Sequence, residues 1–283
     1  MPTTYTHYSF GQKVLKGLNA EEQSIIEKYK ELFDVGLHGP DLLFYYNALS
    51  KNEVNRLGSA LHKLSGSFFF ENAVKVIGKQ EEKEAYYAYI YGFICHYVLD
   101  VFCHGYIDEK IAASGITHAE IEAELDRELL VMAGKNPVKQ KLTGHIKPSH
   151  ESAEVIQSFF DNIEEKQIYK CMKDMVFYLN ALVAPSKLKR GFIFKALKLA
   201  GCYEGMHGLI INYEKNPECA DSTQKLLALY NEAVEKAVEL IGELQACVDD
   251  KVPLDEFYRY NFSSVIPKDV VDGEADGDEK IDE

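Results

Sequence analysis

The stretch AYYAYIYGFICHYVLDVFC, residues 85–103, constrains this chain most. Nineteen residues with so few polar groups must be buried, either in a bilayer or in a protein core. The run contains His96 and Asp100 and is closely flanked by charged residues. A charge at mid-bilayer is expensive, so the run is expected to form a core helix of a water-exposed protein. That raises a question, because His96, Asp100 and His104 follow one another at intervals of four. Residues four apart share one helix face and lie about 6 Å apart along the axis. A single metal ion, with ligand bonds near ~2 Å, can take both members of such a pair. It cannot easily take His96 and His104, about 12 Å apart on the same rise. If all three bind metal there is more than one ion, and Asp100, with two oxygens, is placed to bridge.

The rest of the chain reads as helical. Strand-like alternation and Asn-Gly hairpin turns are missing from the sequence. Asn19 and Glu22 form a capping-box pattern ahead of Ile25, Ile26, Tyr29, Leu32 and Phe33. Residues 36–41, with Gly36, Gly39 and Pro40, read as a turn. Periodicity predicts helices over about 52–76 and 81–103. Another starts at Thr117, with Glu120 as its capping-box partner and Gly134 as its stop. A loop over 134–149 precedes helices over about 150–165, 166–183, 187–200 and 221–247. The expected fold class is therefore all-α, a single multi-helix domain with a metal cleft over residues 1–267. An acidic tail over 268–283 is expected to be disordered.

Charge narrows the choice of partner. The net charge is −14, and the stretch from Asp269 to Glu283 holds eight acids against one lysine. Electrostatic binding of nucleic acid needs a basic footprint, so no nucleic-acid partner is expected. Asp272, Glu274, Asp276, Gly277, Asp278 and Glu283 resemble calcium-loop offsets. Position eight is Glu279 rather than an apolar residue, and the tail reads as solvated. The six cysteines contain no CxxC pair and read as reduced, mostly buried thiols. The N-terminal residues lack a signal-peptide core, so a cytoplasmic location is expected.

Further ligand-type residues precede and follow the long helix. His118 and Glu122 form a second i,i+4 pair, and His7, Asp41 and His62 lie upstream. Five of the nine histidines fall in this set of eight, all within the first 122 residues. Buried His and Asp without partners are costly, and one metal cluster satisfies them together.

These residues carry a resemblance. THYSFG with His7, LHGPDLLFY with Asp41, LHKL with His62, GFICHYVLDVFCH with His96, Asp100 and His104, and GITHAEIEAELD with His118 and Glu122 are similar in order and spacing to the ligand motifs of the zinc-dependent phospholipase C family. The match is strongest over residues 1–130. The resemblance implies an all-α fold with two to three Zn2+ ions in a cleft. By analogy, Asp41, His62, His96 and Asp100 would hold one ion, and His104, His118 and Glu122 a second. Asp100 and His7 would hold a third, completed by the N-terminus. Asp41 would also serve as general base. The implied activity is that of a zinc-dependent phosphodiester hydrolase of phospholipase C type, with a phospholipid or small phosphodiester as substrate. A single-strand nuclease-like activity on the same site and a non-catalytic zinc-binding module are the alternatives. The chain departs from secreted members in having no tryptophan, which those members use at the N-terminus to bind zinc. Leu42 stands where an aromatic is expected.

Two features are left over. His38 is a candidate to orient Asp41, and His145, His150 and His207 read as core or surface residues. The segment SKLKRGFIFKALKLAG carries Lys187, Lys189, Arg190, Lys195 and Lys198 around an apolar stripe. An ordinary amphipathic helix with a solvated basic face is the favoured reading, and a peripheral membrane contact is the alternative. No protein partner is inferred.

Overall fold

The computed structural model describes residues 4–201 and 203–268. Pro2, Cys202 and the acidic tail from Asp269, with its calcium-loop-like offsets, lie outside the described residues. Among the described residues there are twelve α-helices, several short 3-10 segments and no strand.

The apolar run forms the centre. Helix α6, Glu84–Ser114, buries Tyr89, Tyr91, Phe93 and Tyr97 completely. Full burial of an apolar side chain such as Phe93 contributes roughly 1.5–3 kcal/mol. By length and composition α6 could cross a membrane, but 78% of its most apolar window is buried inside the protein. Around it pack α1 (Thr4–Val14), α2 (Ala20–Lys28), α3 (Lys30–Gly36), α5 (Gly66–Gly78), α7 (His118–Met132), α8 (His150–Gln157) and α12 (Ala220–Asp249). Helices α3 and α6 approach each other closely. A Cβ on Gly92 would stand 2.2 Å from the Phe33 carbonyl oxygen, and one on Gly36 2.2 Å from that of Tyr89. The two backbones touch without side chains between them.

Several expected boundaries move. The helix expected over 81–103 continues to Ser114, where Gly115 ends it with φ +73, so His104 lies inside it. The helix expected over 52–76 is two, α4 (Glu53–Lys63) and α5. Leu64 and Ser65 are extended between them, and the Gly66 amide donates to the Tyr260 carbonyl at 2.8 Å. A Cβ at Gly66 would meet the Tyr97 ring at 2.7 Å; the break lets the chain dock there. Asn19 and Glu22 form the expected capping box, but the helix breaks at Tyr29 (φ −119, ψ 41) and restarts as α3. The helix expected over 150–165 stops at Gln157. Phe159 and Phe160 turn into the core there, and Asn162 takes φ +61.

Thr117 caps α7 through the Glu120 amide, and Gly134 follows it with φ +68. The other half of that capping box is replaced, because the Glu120 carboxylate accepts from the Asn216 side chain. The last three helices before the closing α12 are α9 (Glu165–Leu182), α10 (Lys187–Leu199) and the short α11 (Tyr203–Met206).

Candidate metal centre

Four elements bring the eight predicted residues together with the 3-10 segment that follows α3. His7 rides on α1, whose first turn is fixed by the Asp126 carboxylate of α7. That carboxylate accepts from the Thr6 amide and hydroxyl at 2.7 Å and from the Tyr5 amide at 3.3 Å. Asp41 sits in the 3-10 segment, Gly39–Tyr45, and His62 in the last turn of α4. His96, Asp100 and His104 line one face of α6, and His118 and Glu122 start α7. Pro40 and the left-handed Gly39 (φ +46) turn the chain so that Asp41 points at His96. A Cβ on Gly39 would lie 2.3 Å from the His96 ring.

Asp100 is central. Its Oδ2 lies 3.2 Å from His96 Nε2, and its Oδ1 lies 3.4 Å from His7 Nε2 and 3.7 Å from His104 Nε2. Asp41 Oδ1 lies 3.1 Å from His62 Nε2, and its Oδ2 3.9 Å from His96 Nε2. Glu122 Oε1 lies 3.0 Å from His118 Nε2 and 3.5 Å from His104 Nε2. Three groups with metal-ligand spacing result: His7, His96 and Asp100; Asp41, His62 and His96; His104, His118 and Glu122.

The donor set fits a metal. His62 Nδ1 donates to the Gly58 carbonyl at 2.7 Å, and His104 Nδ1 to the Phe262 carbonyl at 2.9 Å. Such bonds fix the tautomer and leave Nε2 as a lone-pair donor. The fully buried His96 Nε2 makes no hydrogen bond despite its carboxylate neighbours, and the buried Glu122 Oε2 is likewise unpartnered. Buried polar atoms without partners are costly, and a cation among these groups removes the cost.

The electrostatics agree. Burial pushes the Asp41 carboxyl up, but the nearby His62 and His96 rings outweigh it and hold it below the usual range. Burial likewise opposes ionisation of Asp100 and Glu122. Their histidine neighbours overcome it and leave both well below ordinary carboxylates. Burial lowers His104, yet Asp100 and Glu122 push it up to about 9. His7, buried beside His96, falls to about 4. The cluster thus holds ionised carboxylates, as metal ligation requires.

The centre opens on one side. His118, the most exposed of the eight, lines a cleft of about 580 Å³ together with Phe44, Tyr45, Tyr178, Leu182 and Leu197. Phe44 stacks on His62 at 5.3 Å. A smaller cavity shares the Tyr45 wall and reaches Glu122 and Asp126.

Some contributors were not legible in the sequence. The C-terminal segment supplies Phe262, whose carbonyl holds His104 and whose ring packs 4.9 Å from His62. No local motif marks it. Tyr45, one helical turn beyond Asp41, has a buried hydroxyl without a partner. His38 does not orient Asp41 through its side chain. Its Nε2 faces His145 Nε2 at 2.8 Å, while its carbonyl accepts from the Asp41 amide at 3.0 Å. His145 is partly buried and stacks on Tyr8 at 4.2 Å. His150 pairs with Glu165 at 2.8 Å, away from the centre. The five described cysteines are buried and unpaired.

A search of curated proteins and a search of solved structures return no significant match. Among protein families, the one described as zinc dependent phospholipase C matches residues 6–178, which span all eight residues of the cluster. With more than half of its length matched, this chain belongs to the zinc-dependent phospholipase C family.

Proposed function

We propose that the protein is a zinc-dependent phosphodiester hydrolase of phospholipase C type, acting on a phospholipid or a related phosphodiester. The observation that carries this reading is the convergence of three ligand groups around Asp100, beside a cleft lined mainly by apolar and aromatic side chains. When bound, two to three zinc ions would supply Lewis acidity toward phosphate oxygens and acidify water. His7, Asp41, His62, His96, Asp100, His104, His118 and Glu122 would hold them. Asp41, held ionised beside His62, would accept the proton of the attacking water. Water adds to phosphorus, the bond from phosphorus to the glycerol oxygen breaks, and a phosphomonoester and a diacylglycerol leave.

A cytoplasmic setting is part of this reading, supported by five buried, unpaired cysteines. The single-strand nuclease alternative has net charge −14 against it. The test is turnover by zinc-loaded protein of a phospholipid, of a short-chain soluble analogue and of single-stranded DNA. Release of diacylglycerol and the phosphorylated headgroup is expected. Cleavage of DNA alone would favour the nuclease, and no turnover with zinc stoichiometrically bound would leave a zinc-binding module.

A further inference from the structure

Helix α10 carries apolar side chains on both its inner and its outer face. Its inner face is Arg190, Ile193, Phe194 and Leu197, spaced i, i+3, i+4, i+7. Arg190 is buried and donates to the Ile211 carbonyl and to Asn212 Oδ1, with its guanidinium 4.2 Å from the Tyr213 ring centre. Ser186 caps the first turn. The helix is therefore anchored on one side. Its outer face should be polar, yet Leu188 (86% exposed), Phe192 (74%) and Leu199 (82%) stand on it. At about 100° per residue, these three and Lys195 fall within about 60° of arc.

Charge completes the pattern. Residues 187–199 contain no acid, in a chain whose net charge is −14. Lys187, Lys189, Lys195 and Lys198 are all exposed, and they flank the apolar stripe on both sides. An apolar stripe bordered by lysines matches an interface that is hydrocarbon below and anionic above. Bare apolar exposure on this scale is costly in water. The inner residue Leu197 lines the cleft that holds His118, so the outer face lies about one helix diameter, ~10 Å, from that cleft.

We propose that α10 is an interfacial helix that seats the protein on a bilayer containing anionic lipid. Leu188, Phe192 and Leu199 enter the headgroup boundary, and the lysines meet the phosphates. The test is sedimentation with vesicles of phosphatidylcholine alone and of an equimolar mixture with phosphatidylserine, with lipid in large excess. The wild type should bind the mixed vesicles, and salt should weaken that binding. Leu188→Glu combined with Phe192→Glu should weaken it by about tenfold or more. Lys187→Glu with Lys195→Glu should remove the preference for the anionic mixture. All four positions are exposed, so thermal unfolding should not move. Three results would overturn the proposal: no binding to either vesicle, equal binding by the Leu188/Phe192 variant, or a lysine variant that keeps the preference. Turnover of a water-soluble phosphodiester reads the metal centre, which these residues do not touch. Failure of membrane docking and failure of the proposed catalysis are therefore separately visible.

Discussion

His96 Nε2 and Asp100 Oδ2 face each other at 3.2 Å across one turn of α6 and yet do not hydrogen-bond. Two groups so placed point at a common centre rather than at each other. The second Asp100 oxygen serves His7 and His104, so one carboxylate touches more than one of the groups. Replacing Asp100 by alanine should therefore cost more than one zinc per chain, read by mass spectrometry of metal content on untagged protein. Turnover should fall by more than about 100-fold. Loss of one ion or fewer would mean that Asp100 is not shared.

Zinc binding should release protons. In the metal-free chain His104 keeps its proton up to about pH 9, because Asp100 and Glu122 outweigh its burial. A metal must displace that proton. Apparent zinc affinity should fall as pH drops below 9, by about tenfold per unit for each proton displaced. Chelator competition across that range measures the slope. A flat profile would remove His104 from the ligand set.

The Gly39→Ala variant should lose metal without losing the fold. A Cβ there would collide with the His96 ring at 2.3 Å, on a backbone with φ +46. The left-handed conformation costs a non-glycine residue about 1–2 kcal/mol, and the collision moves His96 or Asp41. Helical circular dichroism should persist while zinc content drops. Unchanged zinc content would show that the turn can yield.

Asp126 ties the first turn of α1 to α7, and its pKa makes that tie pH-dependent. Burial pushes it up to about 7, against the Thr6 and Tyr5 hydrogen bonds. The unfolded value is about 3.9, so between these limits the folded protein binds the extra proton. Stability from this group is complete below pH ~4 and is lost as pH rises through about 7. Urea unfolding of Asp126→Asn should lack that decline, which is on the order of a few kcal/mol at most. The same slope in both proteins would assign it to another group.

Part of the candidate ligand set is readable from sequence because i,i+4 spacing on a helix is local. His96 with Asp100 and His118 with Glu122 declare their shared face by spacing alone. The Asn19 and Thr117 caps are readable for the same reason. What cannot be read depends on distant chain segments. Gly66 breaks the helix expected over 52–76 because Tyr97 and Tyr260 occupy the space beside it. Phe262 reaches His104 from 158 residues away in sequence. The lysines of 187–198 suggest a solvated basic face. Which apolar residues of that segment face inward is set by Arg190 and the 211–213 segment, which periodicity does not reveal.

The contact of Gly36 with Gly92 has a consequence for how this protein can change. Backbone atoms have no rotamers, so the spacing of α3 and α6 there acts as a fixed gauge. It sits just before the turn that carries Asp41 and one helical turn before His96. Changes to the aromatic side chains around α6 leave that backbone contact in place. Any side chain at either glycine would reset it at once.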